Sequence, residues 1–197
     1  MSHTEDSLTR PQSTAVDARA ASTSQAAELV VLLDEQHQPI GTADKQRVHH
    51  ENTPLHLAFS CYVFDDAGRL LVTRRALGKR TWPGVWTNSC CGHPAPGEDP
   101  TEAVHRRVGQ ELGIDLTELR MALPDFAYRA VAPDGTVEHE FCPVHVARTA
   151  QQPRPDPAEV VEWQWVDWDG FVTLASVAPW SISPWAAEQV PLLAEVL

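Results

Sequence analysis

Apolar residues along this chain fall mainly into short runs of strand length. ELVVLLD (28–34), LHLAFSCYVFD (55–65), RLLVTRRA (69–76) and VWTNSCCG (85–92) each read as a strand, as do FAYRAVA (126–132), TVEHEFCPVHVAR (136–148) and VEWQWVDW (161–168). EQHQPIG (35–41) reads as a turn after the first strand. DDAG before RLLVT and APDG before TVEHE are further turn signals, the second inside a hairpin. One segment breaks the two-residue period: Val104, Val108 and Leu112 recur every fourth position. Asp99 can cap a helix there, Pro100 suits its first turn, Glu102 holds the capping-box position and Gly113 suits the stop. A second helix is expected from Pro184 to the C-terminus. Residues 1–27, rich in Ser, Thr, Ala and Gln, show no apolar period and read as a disordered tail ahead of a single domain over 28–197. Many strands, few helices and no internal repeat predict an α+β sandwich.

Composition narrows the partners. A chain of 197 residues with 43% hydrophobic residues can bury a proper core. Its net charge of −12 argues against nucleic acid or an anionic membrane, since both repel an acidic surface. A phosphate-bearing ligand would therefore need local cations, and TRRALGKR (73–80) is the basic stretch that could supply them. No run approaches a membrane span, and the first residues lack the apolar core of a signal peptide. A cytoplasmic protein with four reduced cysteines is expected, of unspecified oligomeric state.

TNSCCGHPAPGE (87–98) concentrates the candidate chemistry. By composition it could be a redox pair, a zinc site or a tight turn. In an extended chain, however, Cys90 and Cys91 point to opposite faces while Cys91 and His93 share one. The two sulfurs are thus poorly placed for a joint role, and Cys90 reads as a buried neighbour. Elsewhere, Glu138 and Glu140 in VEHEFCP project from one face of a strand, with His139 on the other. Such a pair repels unless it is solvated, protonated or bridged by a cation. His49 and His56 in HHENTPLHLAF are separated by Pro54, which breaks any continuous helix between them. Joined by His93, these residues would form a nitrogen-rich site that favours Mn²⁺, Zn²⁺ or Fe²⁺ over Mg²⁺.

The segment GHPAPGEDPTEAVHRRVGQELGI resembles the Nudix box, a loop–helix–loop that binds metal-diphosphate. Gly92, Glu98, Arg106, Glu111 and Gly113 hold the spacing, with Val108 and Ile114 at the apolar places. Arg107 and Gln110 stand where the family usually carries acids. Without the box, Arg107 and Glu111 would read as a solvated i,i+4 pair worth about 0.3–0.5 kcal/mol. With it, they read as a guanidinium and a cation ligand beside a diphosphate.

A longer series, from about Leu29 to Trp185, resembles the type I isopentenyl-diphosphate isomerase family. It includes LHLAFS, LLVTRRALGKRTWPGVWTN, CGHP, PDFAYRA, EHEFCPV and SPW. The resemblance implies a Nudix-type α/β/α sandwich with a mixed sheet, and a double bond moved by one position in a five-carbon diphosphate through a tertiary carbocation. It further implies that His49, His56, His93, Glu138 and Glu140 hold one divalent ion (Mn²⁺, Mg²⁺ or Zn²⁺). Glu111 serves a Mg²⁺ carried on the substrate diphosphate. Cys91 and Glu140 are the implied acid–base pair, with the donor of the two left open; Tyr128 and Trp185 line the pocket. Lys45, Arg75, Lys79 and Arg107 face the diphosphate. The electron-rich face of Trp185 could stabilise a carbocation by ~2 kcal/mol when desolvated. The alternatives are a Nudix hydrolase of a nucleoside diphosphate derivative and a non-catalytic diphosphate-binding module.

Overall fold

The computed structural model describes Met1 and residues 28–197. Apart from Met1, the tail expected over residues 1–27 lies outside the described residues. Strands β1 (Leu29–Leu33) and β2 (Pro39–Asp44) form a hairpin that leads into a single helical turn, α1 (Lys45–Val48). There follow β3 (His56–Leu57), β4 (Phe59–Phe64), β5 (Leu70–Arg75), β6 (Trp86–Thr87), β7 (Cys90–Gly92) and helix α2 (Pro100–Leu112). Then come β8 (Thr117–Leu123), β9 (Ala127–Val131), β10 (Val137–Phe141), β11 (Val144–Arg148) and β12 (Val160–Val166). Helix α3 (Trp168–Val177), a 3₁₀ turn (Pro179–Ser181) and helix α4 (Pro184–Ala194) complete the order.

The strands form two mixed sheets. One runs β2-β1-β3-β10-β9; the other runs β12-β5-β4-β11-β8, with β6 on β5 and β7 on β4. The parallel pairs are β3 with β10 and β4 with β11. Two segments expected as single strands therefore pass from one sheet into the other. LHLAFSCYVFD bends at Ala58. TVEHEFCPVHVAR breaks at Cys142 and Pro143, because proline has no N–H to give a ladder. Hydrogen bonds from Ala58 N to Phe141 O (2.9 Å) and Ser60 N to Pro143 O (3.1 Å) keep the two chains together across the bend.

The larger sheet is the middle layer of the expected α/β/α sandwich. Alternation along β4 sends Phe59, Cys61 and Val63 to one face, where they pack with Leu71 against Val104, Val108 and Leu112 of α2. Each of those three helix residues is fully buried, which stabilises by roughly 1.5–3 kcal/mol per side chain. Tyr62, Leu70 and Val72 face the other way, against Phe171 and Ala175 of α3 and Trp185, Ala186, Val190 and Leu193 of α4. Helix α2 has the expected ends: Asp99 Oδ1 accepts from Thr101 N at 2.8 Å, and Gly113 closes it at φ 63°. A Cβ on Gly113 would also stand 2.9 Å from the Arg154 carbonyl.

Four elements carried too little local signal to be expected. β2 and β8 are mostly exposed, so they show no apolar alternation. α1 is one turn long. α3 contains a glycine and buries only Phe171 and Ala175, and its cap Asp167 is hidden in what reads as a strand end. The helix from Pro184 stops at Ala194 rather than at the C-terminus. No helix among the described residues is long and apolar enough to cross a membrane.

Candidate active site

Cross-strand register builds the site. Glu140 on β10 pairs with His56 on β3 on one side and with Tyr128 on β9 on the other. Three chemically different groups thus stand in a row across one sheet. On the other sheet, Cys91 of β7 pairs with Ser60 of β4. A cavity of about 660 Å³ opens over both sets, with Cys91, Tyr128, Glu138, Glu140 and Trp185 along its wall.

His49, His56, His93 and Glu140 form a tight group in which all ligand atoms lie within 4.8 Å of one another. The Nε2 atoms of His93, His56 and His49 approach one oxygen, Glu140 Oε1, at 3.2, 3.5 and 3.9 Å. His56 Nδ1 lies 2.9 Å from the Pro54 carbonyl and can only donate to it, which leaves the Nε2 lone pair facing the carboxylate. The Nε2 atoms of His49 and His56 are buried without a hydrogen-bond partner. Burial lowers His93 to about 4 despite its bond to Glu140, so that ring is neutral at neutral pH. Burial pushes Glu140 up, but the three imidazoles around it outweigh that and hold the carboxylate well below its ordinary range. Three ring nitrogens and a carboxylate oxygen converging within 4.8 Å form a donor set that fits one divalent ion. Glu138, expected as a fifth ligand, lies outside the group of four. Tyr128 Oη donates to Glu138 Oε2 at 2.7 Å and also lies 3.0 Å from Glu140 Oε2. Burial, with the neighbouring Glu140 charge, raises the Glu138 carboxyl.

Cys90 and Cys91 diverge as expected. Cys90 packs under α2, whereas Cys91 faces the cavity. Cys91 Sγ lies 3.4 Å from Ser60 Oγ and 3.3 Å from Asn88 Oδ1, and burial pushes its thiol up to about 12. All four cysteines are free thiols. Trp185, held at the start of α4 by the Ser183 cap, is buried with its ring 5.9 Å from Tyr128 and 5.7 Å from Trp82. The Arg75 guanidinium sits 5.4 Å over its face.

The basic end of the cavity brings Lys45, Arg75, Lys79 and Arg107 together, and each already has a partner. Lys45 pairs with Glu28 at 2.6 Å. Lys79 pairs with Glu159, and Arg107 pairs with Glu111 and lies 3.5 Å from Glu159. Arg75 donates to the Thr81 carbonyl at 2.9 Å. Burial lowers Lys79. Burial opposes the charge on Arg107, but the Glu111 charge and hydrogen bond, with Cys90 and Glu28, together outweigh it and raise the group. Glu98 grips Arg106 at 2.6 Å, and Arg106 reaches the His93 carbonyl at 3.3 Å, which ties the loop to the histidine it presents. Sequence reading missed Glu28, Glu159, Ser60 and Asn88. Glu28 and Glu159 sit in segments without a motif. A polar residue inside an apolar strand was the only available signal for Ser60.

The NUDIX domain family matches residues 54–192. The chain is 67% identical over 161 residues to Isopentenyl-diphosphate Delta-isomerase of Frankia alni, covering 82% of this chain and 83% of that protein. It is 62% identical over 167 residues to the protein of the same name from Mycolicibacterium vanbaalenii, covering 85% and 92%. Among solved structures, a protein of Deinococcus radiodurans superposes with a TM-score of 0.64 at 19% identity, covering 86% of this chain and 99% of its own, a likeness of fold alone. Identity on this scale, over more than four fifths of the chain, makes this chain a member of the isopentenyl-diphosphate Delta-isomerase family on the NUDIX fold.

Proposed function

We propose that this chain converts isopentenyl diphosphate into dimethylallyl diphosphate. A proton is added at the terminal methylene and another is lost from the chain carbon beside the branch, so the double bond moves and no P–O bond breaks. The observation that carries this reading is the shared cavity wall: a protonated thiol, a tyrosine-bridged carboxylate pair and an aromatic face in one buried place.

Lys45, Arg75, Lys79 and Arg107 bind the diphosphate, and Glu111 takes the Mg²⁺ that accompanies it. His49, His56, His93 and Glu140 hold a divalent ion, Mn²⁺, Mg²⁺ or Zn²⁺, with Glu138 beside them. That ion supplies fixed positive charge, which organises the carboxylate. Cys91 and Glu140 add and remove the two protons. Burial keeps the proton on the Cys91 thiol. Tyr128 Oη links Glu138 to Glu140, and burial with the Glu140 charge raises the Glu138 carboxyl. Trp185 and Tyr128 offer aromatic faces to the carbocation without a nucleophile that would trap it. An alkene is a weak base, so positioning and exclusion of water are what this wall contributes. Arg107 argues against the hydrolase alternative, since a guanidinium paired with Glu111 occupies a place where the Nudix box usually carries an acid. The described domain, residues 28–197, acts as one catalytic unit.

The test is incubation with isopentenyl diphosphate and a divalent ion in D₂O, followed by NMR. Dimethylallyl diphosphate carrying deuterium is expected. Released phosphate, or no turnover with metal present, would overturn the reading.

A further inference from the structure

Neither the Nudix pattern nor the metal group accounts for Asn88. It lies between β6 and β7 and is fully buried. Its Nδ2 donates to the carbonyls of Cys61 at 3.1 Å and Cys90 at 2.9 Å. Two carbonyl partners identify that end of the amide as nitrogen, so Oδ1 faces the opposite way. There it meets three donors: the Trp185 indole Nε1 at 3.0 Å, Thr87 Oγ1 at 2.8 Å and Cys91 Sγ at 3.3 Å. A carbonyl offers two lone pairs. Thr87 Oγ1 has another partner in Ser183 Oγ at 2.7 Å, while the indole can only donate. On the far side of the sulfur, Ser60 Oγ lies 3.4 Å away and itself receives Gln189 Nε2 at 3.0 Å.

We infer that Asn88 is a positioning residue for the isomerisation: its Oδ1 fixes the Cys91 thiol and the Trp185 ring in one relation to the five-carbon chain. This rests on the isomerase reading above. The thiol comes from a strand of the larger sheet and the ring from the first turn of α4, 94 positions along the chain. Proton transfer and stabilisation of the resulting cation must occur on the same carbon skeleton, so the two groups need a common reference. Asn88 Oδ1 is an atom that touches both. Lys45, Lys79 and Arg107 take no part in this network, and Arg75 meets it only at the face of Trp185, so most of the diphosphate-binding set lies outside it.

The test compares Asn88→Ala and Asn88→Asp with the wild-type protein, each confirmed folded by circular dichroism. Asp keeps an acceptor oxygen on the Trp185 and Cys91 side and, held protonated in this buried place, can still donate to one of the two carbonyls that Asn88 Nδ2 serves. For Asn88→Ala, kcat is expected to fall roughly 100-fold, the scale of a misplaced reacting group, with KM nearly unchanged. The indole N–H resonance of Trp185 in ¹⁵N-tryptophan-labelled protein is expected to move. Asn88→Asp is expected to restore most of kcat and return that resonance towards its wild-type place. An undiminished kcat in Asn88→Ala overturns the inference, as does an indole resonance that stays put while kcat falls. If Asn88→Ala does not fold, Asn88→Asp decides: retained kcat with the resonance in place supports the role, and lost kcat with the resonance in place overturns it. A wild type without turnover defeats the isomerase reading itself. The two failures are distinct, because the indole readout does not depend on activity.

Discussion

Gly92→Ala offers a direct test of how packing and site geometry are joined. A Cβ at this position would stand 2.9 Å from Arg107 Cγ, 2.9 Å from Phe59 Cζ and 3.0 Å from Phe59 Cε1. Carbon atoms prefer about 3.5–4.0 Å, so each neighbour must retreat by roughly 0.6 Å or more. Neither can do so freely. Phe59 is buried in the cluster beneath α2, and the Arg107 head is tied to Glu111. Overpacking of this kind costs about 1–3 kcal/mol. Near 2 kcal/mol, Tm should fall by about 4–8 °C for a domain of this size. The same displacement shifts Arg107, proposed above to bind the diphosphate, and disturbs Cys91 and His93 on either side. KM should rise, and kcat/KM should drop about tenfold or more. Gly109→Ala is the control: nothing lies within 4 Å of its added Cβ, and the site is exposed on the same helix. There helix propensity favours Ala by about 0.8–1.0 kcal/mol, so Tm should rise. Differential scanning calorimetry and steady-state kinetics on both variants check this. If Gly92→Ala melts and turns over like the wild type, the close approach of α2 to β7 does not constrain the site as described.

Three further outcomes are expected. Cys91→Ala should lose about 10²–10⁴-fold in turnover while still binding isopentenyl diphosphate by calorimetry; full activity would remove the thiol from the mechanism. Mn²⁺ or Zn²⁺ added to chelator-treated protein should raise Tm, by the equivalent of about 2.7 kcal/mol at a hundredfold excess over Kd. His56→Ala should lose most of that rise, and an equal shift in the variant would exclude the four-residue group as the binding site. Asp65 accepts from Arg69 N at 2.8 Å and from Arg69 Nε at 2.7 Å. Burial pushes its carboxyl up, but the Arg69 bonds outweigh this and hold it below the ordinary value. A depressed folded pKa gives stability that is present above the unfolded value near 3.9 and lost as pH falls through the folded one. Stability should therefore decline below about pH 4, and Asp65→Asn should flatten that decline in acid denaturation curves; an unchanged acid slope would refute the assignment.

What the sequence made legible was local. Asp99, Gly113 and the fourfold spacing of Val104, Val108 and Leu112 sufficed to place α2, because caps and periodicity act within a few residues. The opposed faces of Cys90 and Cys91, and the shared face of Glu138 and Glu140, follow from strand geometry in the same way. The rest of the candidate site was legible only through the family resemblance. What stayed illegible depends on register between distant segments. No local pattern sets His56 beside Glu140 or Tyr128 across from it. No pattern tells that Tyr128 bridges Glu138 and Glu140, with Glu138 outside the tight histidine group. Asn88 stands next to the cysteines in the sequence, yet its role emerges only when α4 folds back to deliver Trp185.

The two segments that pass side by side from one sheet into the other have a mechanical consequence. His56 and Glu140 stand on the β3 and β10 portions, and β4 and β11 continue the same chains into the sheet that carries Cys91 and packs against α2. The two halves of the chemistry therefore share a pair of rails and are not joined by a hinge. A protein built so cannot open its reaction chamber by swinging one sheet from the other without tearing parallel ladders in the interior. On the reading proposed above, access for substrate falls instead to the basic rim, where Glu28 and Glu159 pair with Lys45 and Lys79 and would release them to an incoming anion.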